Sequence, residues 1–218
     1  MSVAAAIRSG AKADGDGALQ AVAGRRVFDA ANNMWMVKVF PGEYYLTRKT
    51  DEMIVTVLGS CVSACIRDPM ANIGGINHFM LAQHSSGDWG NDLRSARFGN
   101  FAMEKLLNEL VKAGARRERL EVKVFGGGNV TDTSNAVGTD NAEFVLRYLQ
   151  AEGLRVAAQD LGGTHPRRIH YYPQTGRVVR RLLGLGESYV VRREETDYEK
   201  RLQAEKKSFG DIELFGDD

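Results

Sequence analysis

Apolar and polar positions along the chain fall into short blocks with two different periods. Met34–Val39 opens the first ordered block, and a turn is expected at Pro41, with Gly42 and Glu43 following it. Ile54–Leu58 is β-branched and apolar, the pattern of a buried strand. Cys61–Arg67 and Ile73–Leu81 are two further extended runs. The cluster Asp68-Pro69-Met70-Ala71-Asn72 separates them, so together they predict a β-hairpin. Phe98–Ala113 is the clearest helix: Phe98, Phe101, Ala102, Leu106, Leu107, Leu110 and Val111 recur at helical spacing, and Gly114 closes the run. Leu120–Phe125 alternates as a strand does, and a glycine loop, Gly126–Gly128, follows it. A second helix is predicted from Asp140, with Glu143 placed as in a capping box, to near Gly153. Leu154–Gln159, Arg168–Tyr172 and Arg177–Leu183 predict three more strands, the last two joined by a turn at Pro173–Gly176.

Strands outnumber helices, and two amphipathic helices need a sheet face to cover. The expected fold is a single-domain α/β layered sandwich, a mixed β-sheet packed by two main helices. Residues 1–30 are expected as a flexible N-terminal tail, 31–192 as the folded domain, and 193–218 as a charged C-terminal tail, mobile or marginally helical. Within that tail Ser208–Phe215 mixes apolar and acidic residues. Two readings stay open for it: docking on a partner or sheet edge, and a disordered end.

Composition narrows the function classes. The chain has 218 residues and is 43% hydrophobic, which suits one core. Its 29 basic and 28 acidic residues leave a net charge of +1. Such a chain has no bulk electrostatic drive toward nucleic acid or an anionic membrane. The longest apolar stretch, around Val55–Ile66, contains Gly59 and Ser60 and is too short to span a bilayer. No export signal is read at the N-terminus, where acid and glycine interrupt any apolar run. The two cysteines, Cys61 and Cys65, do not make a disulfide scaffold, and a cytoplasmic location is expected.

Cys61 is the first candidate for chemistry. Gly59 allows a sharp turn after a strand, which presents the next side chains at the strand end. Backbone N–H groups around Ser60 and Cys61 can converge there on a developing oxyanion. A thiolate is the reactive form, so Cys61 needs a proton acceptor nearby. His78, on the return strand of the hairpin, is the candidate. A hairpin centred near Met70–Ala71 would set a residue about Leu81 opposite Cys61, with His78 a few positions off that register, which a bulge or long turn allows. The bland alternative is two core residues, since a cysteine in an apolar strand is more often a small hydrophobe.

A rival pattern is Cys61-x3-Cys65-x12-His78-x5-His84, the spacing of a two-cysteine, two-histidine zinc finger. Gly74-Gly75 disfavours a helix before His78, and the six-residue step to His84 puts the histidines on different helix faces. The glycine loop Phe125–Asn129 lacks the Gly-Lys-Ser/Thr ending of a P-loop and the spacing of a dinucleotide fingerprint. It reads as a tight loop that can line a pocket, as does Gly162-Gly163. His165 and His170 are given no role.

Several motifs in one order carry a more specific signal. These are Leu58-Gly59-Ser60-Cys61-Val62-Ser63-Ala64-Cys65, Arg67-Asp68-Pro69 and Gly75-Ile76-Asn77-His78-Phe79-Met80-Leu81. Arg97-Phe98-Gly99-Asn100-Phe101-Ala102, Lys123-Val124-Phe125-Gly126-Gly127 and Asp160-Leu161-Gly162-Gly163 follow. Over roughly residues 37–190 the chain resembles CheD, the chemoreceptor glutamine deamidases of bacterial chemotaxis. The resemblance implies an α/β sandwich related to bacterial toxin deamidases. It also implies hydrolysis of selected receptor glutamines to glutamate, with ammonia released. The family nucleophile falls on Cys61 and the family histidine on His78. A hydroxyl residue upstream orients the histidine: Thr56 is the nearest match, and a position one earlier holds Val55. The resemblance further implies a thioester intermediate, oxyanion donors near Ser60–Cys61, and no metal or organic cofactor. The implied partners are the cytoplasmic domains of chemoreceptors, displayed as helical bundles, and CheC, a phosphatase of the response regulator. A non-catalytic protein that regulates such a partner is the alternative.

Overall fold

The computed structural model describes residues 20–21, 25–81, 93–130 and 137–208. In chain order the elements are β1 (Gln20–Ala21), β2 (Arg26–Asp29), β3 (Met34–Lys38), β4 (Glu43–Thr47), β5 (Glu52–Leu58), β6 (Val62–Asp68), β7 (Ile73–His78), α1 (Leu93–Lys112), β8 (Glu121–Gly126), α2 (Val137–Ala151), β9 (Val156–Leu161), β10 (Arg167–Tyr172), β11 (Arg177–Leu182) and α3 (Leu185–Ser208).

The strands form two sheets, where the alternation pattern predicts a single mixed sheet. The first has the order β1-β4-β7-β6-β8-β9 and the second β11-β10-β5-β3-β2. Both are mixed: β8 runs parallel to β9 and β3 parallel to β5, while the β6–β7 and β5–β10 pairs are antiparallel. Alternation decides what each face meets. Val62, Ala64 and Ile66 of β6 pack with Met103, Leu106 and Leu110 of α1 and with Val145 and Leu149 of α2. Cys61 and Cys65, on the opposite face, pack with Ile54, Leu58, Ile169 and Tyr171 from the second sheet. The result is helix, sheet and sheet in three layers, the layered α/β sandwich expected. A third helix adds to the two predicted.

The hairpin β6–β7 forms around the predicted turn. Asp68 organises it: its Oδ1 accepts N–H bonds from Met70 at 2.9 Å and Ala71 at 3.1 Å. Arg119 pairs with the same buried carboxylate at 2.6 Å, and the Arg116 N–H donates to it at 2.8 Å. Ladder pairing runs from Asp68↔Ile73 to Cys65↔Ile76 and resumes at Val62↔Phe79. Between them the buried Asn77 side chain enters the ladder, its Oδ1 accepting from Ala64 N–H at 2.8 Å.

The stretch expected as a charged tail from residue 193 lies within α3. Among its described side chains Val191, Glu195, Tyr198 and Leu202 are buried. They follow one another at steps of four, three and four residues, a single helical stripe. Arg26–Asp29, within the expected N-terminal tail, form β2, which pairs antiparallel with β3. Residues 209–215 of the candidate docking segment lie outside the described residues, as does His84 of the zinc pattern.

Candidate active site

The hairpin register brings Cys61 and His78 together. Val62 pairs with Phe79, so His78 lies opposite Ser63, two positions from Cys61 on the same face of the sheet. That face looks across the sandwich at β5. There Ile54, Thr56 and Leu58 point inward, and Val55 points the other way. The candidate site therefore sits between the sheets, with Cys61 and His78 from one and Thr56 from the other.

The hydrogen bonds fix the histidine's tautomer. Thr56 Oγ1 lies 2.7 Å from the carbonyl of Val39 and 2.8 Å from His78 Nδ1. A carbonyl can only accept, so the hydroxyl hydrogen goes to Val39. The hydroxyl then accepts from Nδ1–H, and the lone pair is left on Nε2. His78 Nε2 has no hydrogen-bond partner among the described residues. A His78 ring nitrogen, Cys61 Sγ and a Glu195 carboxylate oxygen lie within 4.8 Å of one another. Burial pushes His78 down to about 4, and the charge of Glu195 opposes that only in part. The imidazole is thus neutral near pH 7, as a base must be.

The loop Gly59-Ser60-Cys61 is held so that its amides converge. Its three carbonyls are each engaged from behind. Gly128 N–H donates to Gly59 O at 2.7 Å, Asn141 Nδ2 to Ser60 O at 2.9 Å, and Gly127 N–H to Cys61 O at 2.8 Å. Gly126 has φ of +109°, and a Cβ there would lie 2.1 Å from Cys61 O, so the clasp requires glycine. Gly162 N–H in turn donates to Gly126 O at 3.0 Å. The buried Arg167 anchors that second loop through the carbonyls of Asp160 and Gly162. Both glycine loops therefore support the cysteine loop.

With the carbonyls turned away, the three N–H groups face one point, and Glu195 of α3 fills it. Its Oε1 accepts from Gly59 N–H at 2.9 Å and Cys61 N–H at 3.1 Å. Its Oε2 accepts from Ser60 N–H at 2.9 Å and Ser60 Oγ at 2.7 Å. A nest of converging amides binds anions and repels cations. Cys61, His78 and Glu195 are close enough to ligate a metal ion, but the N–H nest and the full engagement of the carboxylate fit an anion site better. Burial, then the charge of Glu195 and a hydrogen bond to it, push the Cys61 thiol well above its ordinary value.

Cys61, His78, Thr56 and the Ser60 amide are thus gathered at one place. Glu195 and Asn141 were not among the candidates. Asn141 is fully buried in α2, where its Oδ1 accepts from Leu81 N–H at 2.8 Å while its Nδ2 holds Ser60 O.

A cysteine, a histidine with a free nitrogen and an oxyanion-type nest form the equipment of thiol-based acyl chemistry. Comparison with known proteins identifies the family. A model described as CheD chemotactic sensory transduction matches residues 80–182. A probable chemoreceptor glutamine deamidase CheD of Rhodopseudomonas palustris is 50% identical over 88% of this chain and 89% of its own. The protein of the same description from Janthinobacterium sp. is 53% identical over 82% of this chain and 88% of its own. The chain belongs to the CheD family. Among solved structures, the Bacillus licheniformis hypothetical protein YfiH is a remote likeness, with a TM-score of 0.33 at 8% identity over 56% of this chain and 49% of that one.

Proposed function

We propose that this chain is a protein-glutamine glutaminase that hydrolyses the side-chain amides of selected glutamines on bacterial chemoreceptors to glutamate, in chemotaxis adaptation. The observation that carries it is the Thr56–His78 hydrogen bond beside Cys61, which leaves the basic nitrogen of the imidazole free at the thiol. Relatives at about half identity carry the matching description over most of their length.

In this scheme His78 Nε2 takes the Cys61 proton, and the thiolate attacks the glutamine δ-carbon. The oxyanion is held by the N–H groups of Gly59, Ser60 and Cys61. His78 returns the proton to the departing nitrogen, since an amide anion is too basic to leave unaided. Ammonia leaves and a thioester remains. Water then gives its proton to His78 and attacks the thioester, releasing glutamate and the thiol. Amide and water become carboxylic acid and ammonia, so the cycle balances without an oxidant, reductant or cofactor.

The substrate is the cytoplasmic part of the receptor, which gives the protein a cytoplasmic location. A CheC-type phosphatase is a second partner by family resemblance, and nucleic acid is not one. No helix among the described residues is long and apolar enough to cross a membrane. Residues 31–192 carry the deamidase unit under this proposal, with β2 before them and the rest of α3 after them packed onto it.

The test is incubation of a chemoreceptor cytoplasmic fragment with the wild-type chain and with Cys61→Ala. Ammonia release, and the mass gain of exchanging an amide nitrogen for oxygen at particular glutamines, are expected with the first and absent with the second. Equal mass change in both samples would reject Cys61 as nucleophile.

A further inference from the structure

Glu195 sits where the reaction needs empty space. Cys61 is completely buried, and His78 is 1% exposed. A glutamine on another protein cannot reach them past α3. The blocking group is itself a glutamate, the side chain the proposed reaction produces. Its carboxylate takes every amide that would hold the oxyanion.

The surface beneath α3 is cut to admit a helix. A Cβ on Gly59 would lie 2.8 Å from Glu195 Oε2, and one on Gly42 would lie 2.7 Å from the Tyr198 ring. Two glycines thus give the clearance that lets a helical side chain reach the loop and an aromatic ring seat beside it. Val191, Tyr198 and Leu202 occupy the groove four residues before, three after and seven after Glu195. Val190, Val191 and Glu194 also wall a cavity of about 560 Å³ that reaches Thr56 and His78. At its N-terminal end α3 is tied by ion pairs of Glu187 with Arg181 and Arg168, all partly exposed. Such pairs hold little.

We propose that α3 is an internal product mimic: Glu195 occupies the place of the product carboxylate, the folded chain holds its own site closed, and the groove takes a substrate helix when α3 withdraws. The inference rests on the deamidase reading and adds a substrate class to it. The preferred glutamine lies on a helix with an aliphatic residue four positions before it, an aromatic three after and an apolar residue seven after. A tethered competitor acts at high effective concentration, and the open fraction scales the apparent affinity for substrate.

The experiment compares the wild-type chain, Glu195→Ala, Glu195→Gln and a chain ending at residue 184. The probes are a chemoreceptor cytoplasmic fragment, for ammonia release, and iodoacetamide, for Cys61 alkylation. Glu195→Ala is expected to raise kcat/KM and alkylation rate by about tenfold or more. Glu195→Gln places a substrate amide in the site, so the mass of that residue should rise to that of glutamate, and should not in the Cys61→Ala background. Should the truncated chain fail to fold, the two point variants carry the test. Unchanged alkylation and turnover in folded Glu195→Ala would overturn the proposal. Abolished turnover would also overturn it and make Glu195 a catalytic residue. Faster alkylation in Glu195→Ala, with no ammonia from any variant and no mass change in the Glu195→Gln chain, would uphold the closed site and reject the deamidase reading instead.

Discussion

Thr56 Oγ1 stands 2.8 Å from His78 Nδ1 and joins the two sheets of the sandwich through one hydrogen bond. Because the Val39 carbonyl takes the hydroxyl's own hydrogen, Thr56 can only accept from the ring. Its bonds select the tautomer with Nε2 free, and in the proposed mechanism this makes it a positioning residue. Thr56→Val keeps the shape and removes the acceptor. It is expected to lower kcat/KM by about 10²-fold, in line with the cost of misplacing a reacting group. Thr56→Ser should restore most of the loss. A loss of thermal stability without loss of rate, or failure of serine to rescue, would count against the role.

Asn141 ties α2 to the segments that follow β5 and β7. Replacing it by Leu leaves the Leu81 N–H and the Ser60 carbonyl without their partners in a buried place. Each orphaned group costs about 1–3 kcal/mol, so Asn141→Leu should lose roughly 2–6 kcal/mol in urea unfolding. Asn141→Asp keeps the acceptor for Leu81 but turns a second acceptor toward Ser60 O. It should fall in stability as well, and its Ser60–Cys61 amides should lose alignment. The check is a drop in kcat larger than the rise in KM.

Much of this arrangement is legible in the chain. Strands β5, β6 and β7 follow from β-branched runs and a turn cluster, and alternation puts Thr56 on the face of Ile54 and Leu58, away from Val55. The hairpin turn points to a residue about Leu81 opposite Cys61. Pairing about a centre between Met70 and Ala71 sets Met80 there, and the ladder keeps that register from Asp68↔Ile73 to the Val62↔Phe79 bridge. Strand β4 was obscured by Pro41 and Gly42, which pull Glu43 into a turn reading. Helix α3 was obscured by charge: the stripe Val191, Glu195, Tyr198, Leu202 has the helical period, but its most consequential member is acidic and reads as surface. A buried glutamate becomes intelligible only once the amides of Gly59, Ser60 and Cys61 are known to converge.

Asp68 anchors the turn between β6, which begins directly after Cys61, and β7, which ends on His78. Burial by itself would raise its carboxyl, but Arg119 and the N–H groups of Arg116, Ala71 and Met70 outweigh that and hold it well below the usual carboxylate range. Its stabilising effect is present above the ordinary value of 3.8 and fades as pH falls below it. Asp68→Ala leaves the half-buried Arg119 without its partner and two turn amides unbonded. Breaking such a pair from one side costs about 3–5 kcal/mol. Urea midpoints at neutral pH should show that loss, and the gap to wild type should narrow in strong acid.

His78 gives the fold a pH dependence of its own. Burial lowers its folded value from 6.5 to about 4, so between those limits the unfolded chain binds the extra proton and the folded chain does not. The contribution to stability is complete above pH 6.5 and is lost progressively as pH falls toward 4. Replacing His78 by Gln removes the titrating group while keeping a donor for Thr56. Wild-type stability should therefore rise more steeply than that of His78→Gln between pH 4 and 6.5, and the two curves should run parallel above it. Parallel curves throughout would mean that the imidazole is solvated, and with it that the site between the sheets is open to water.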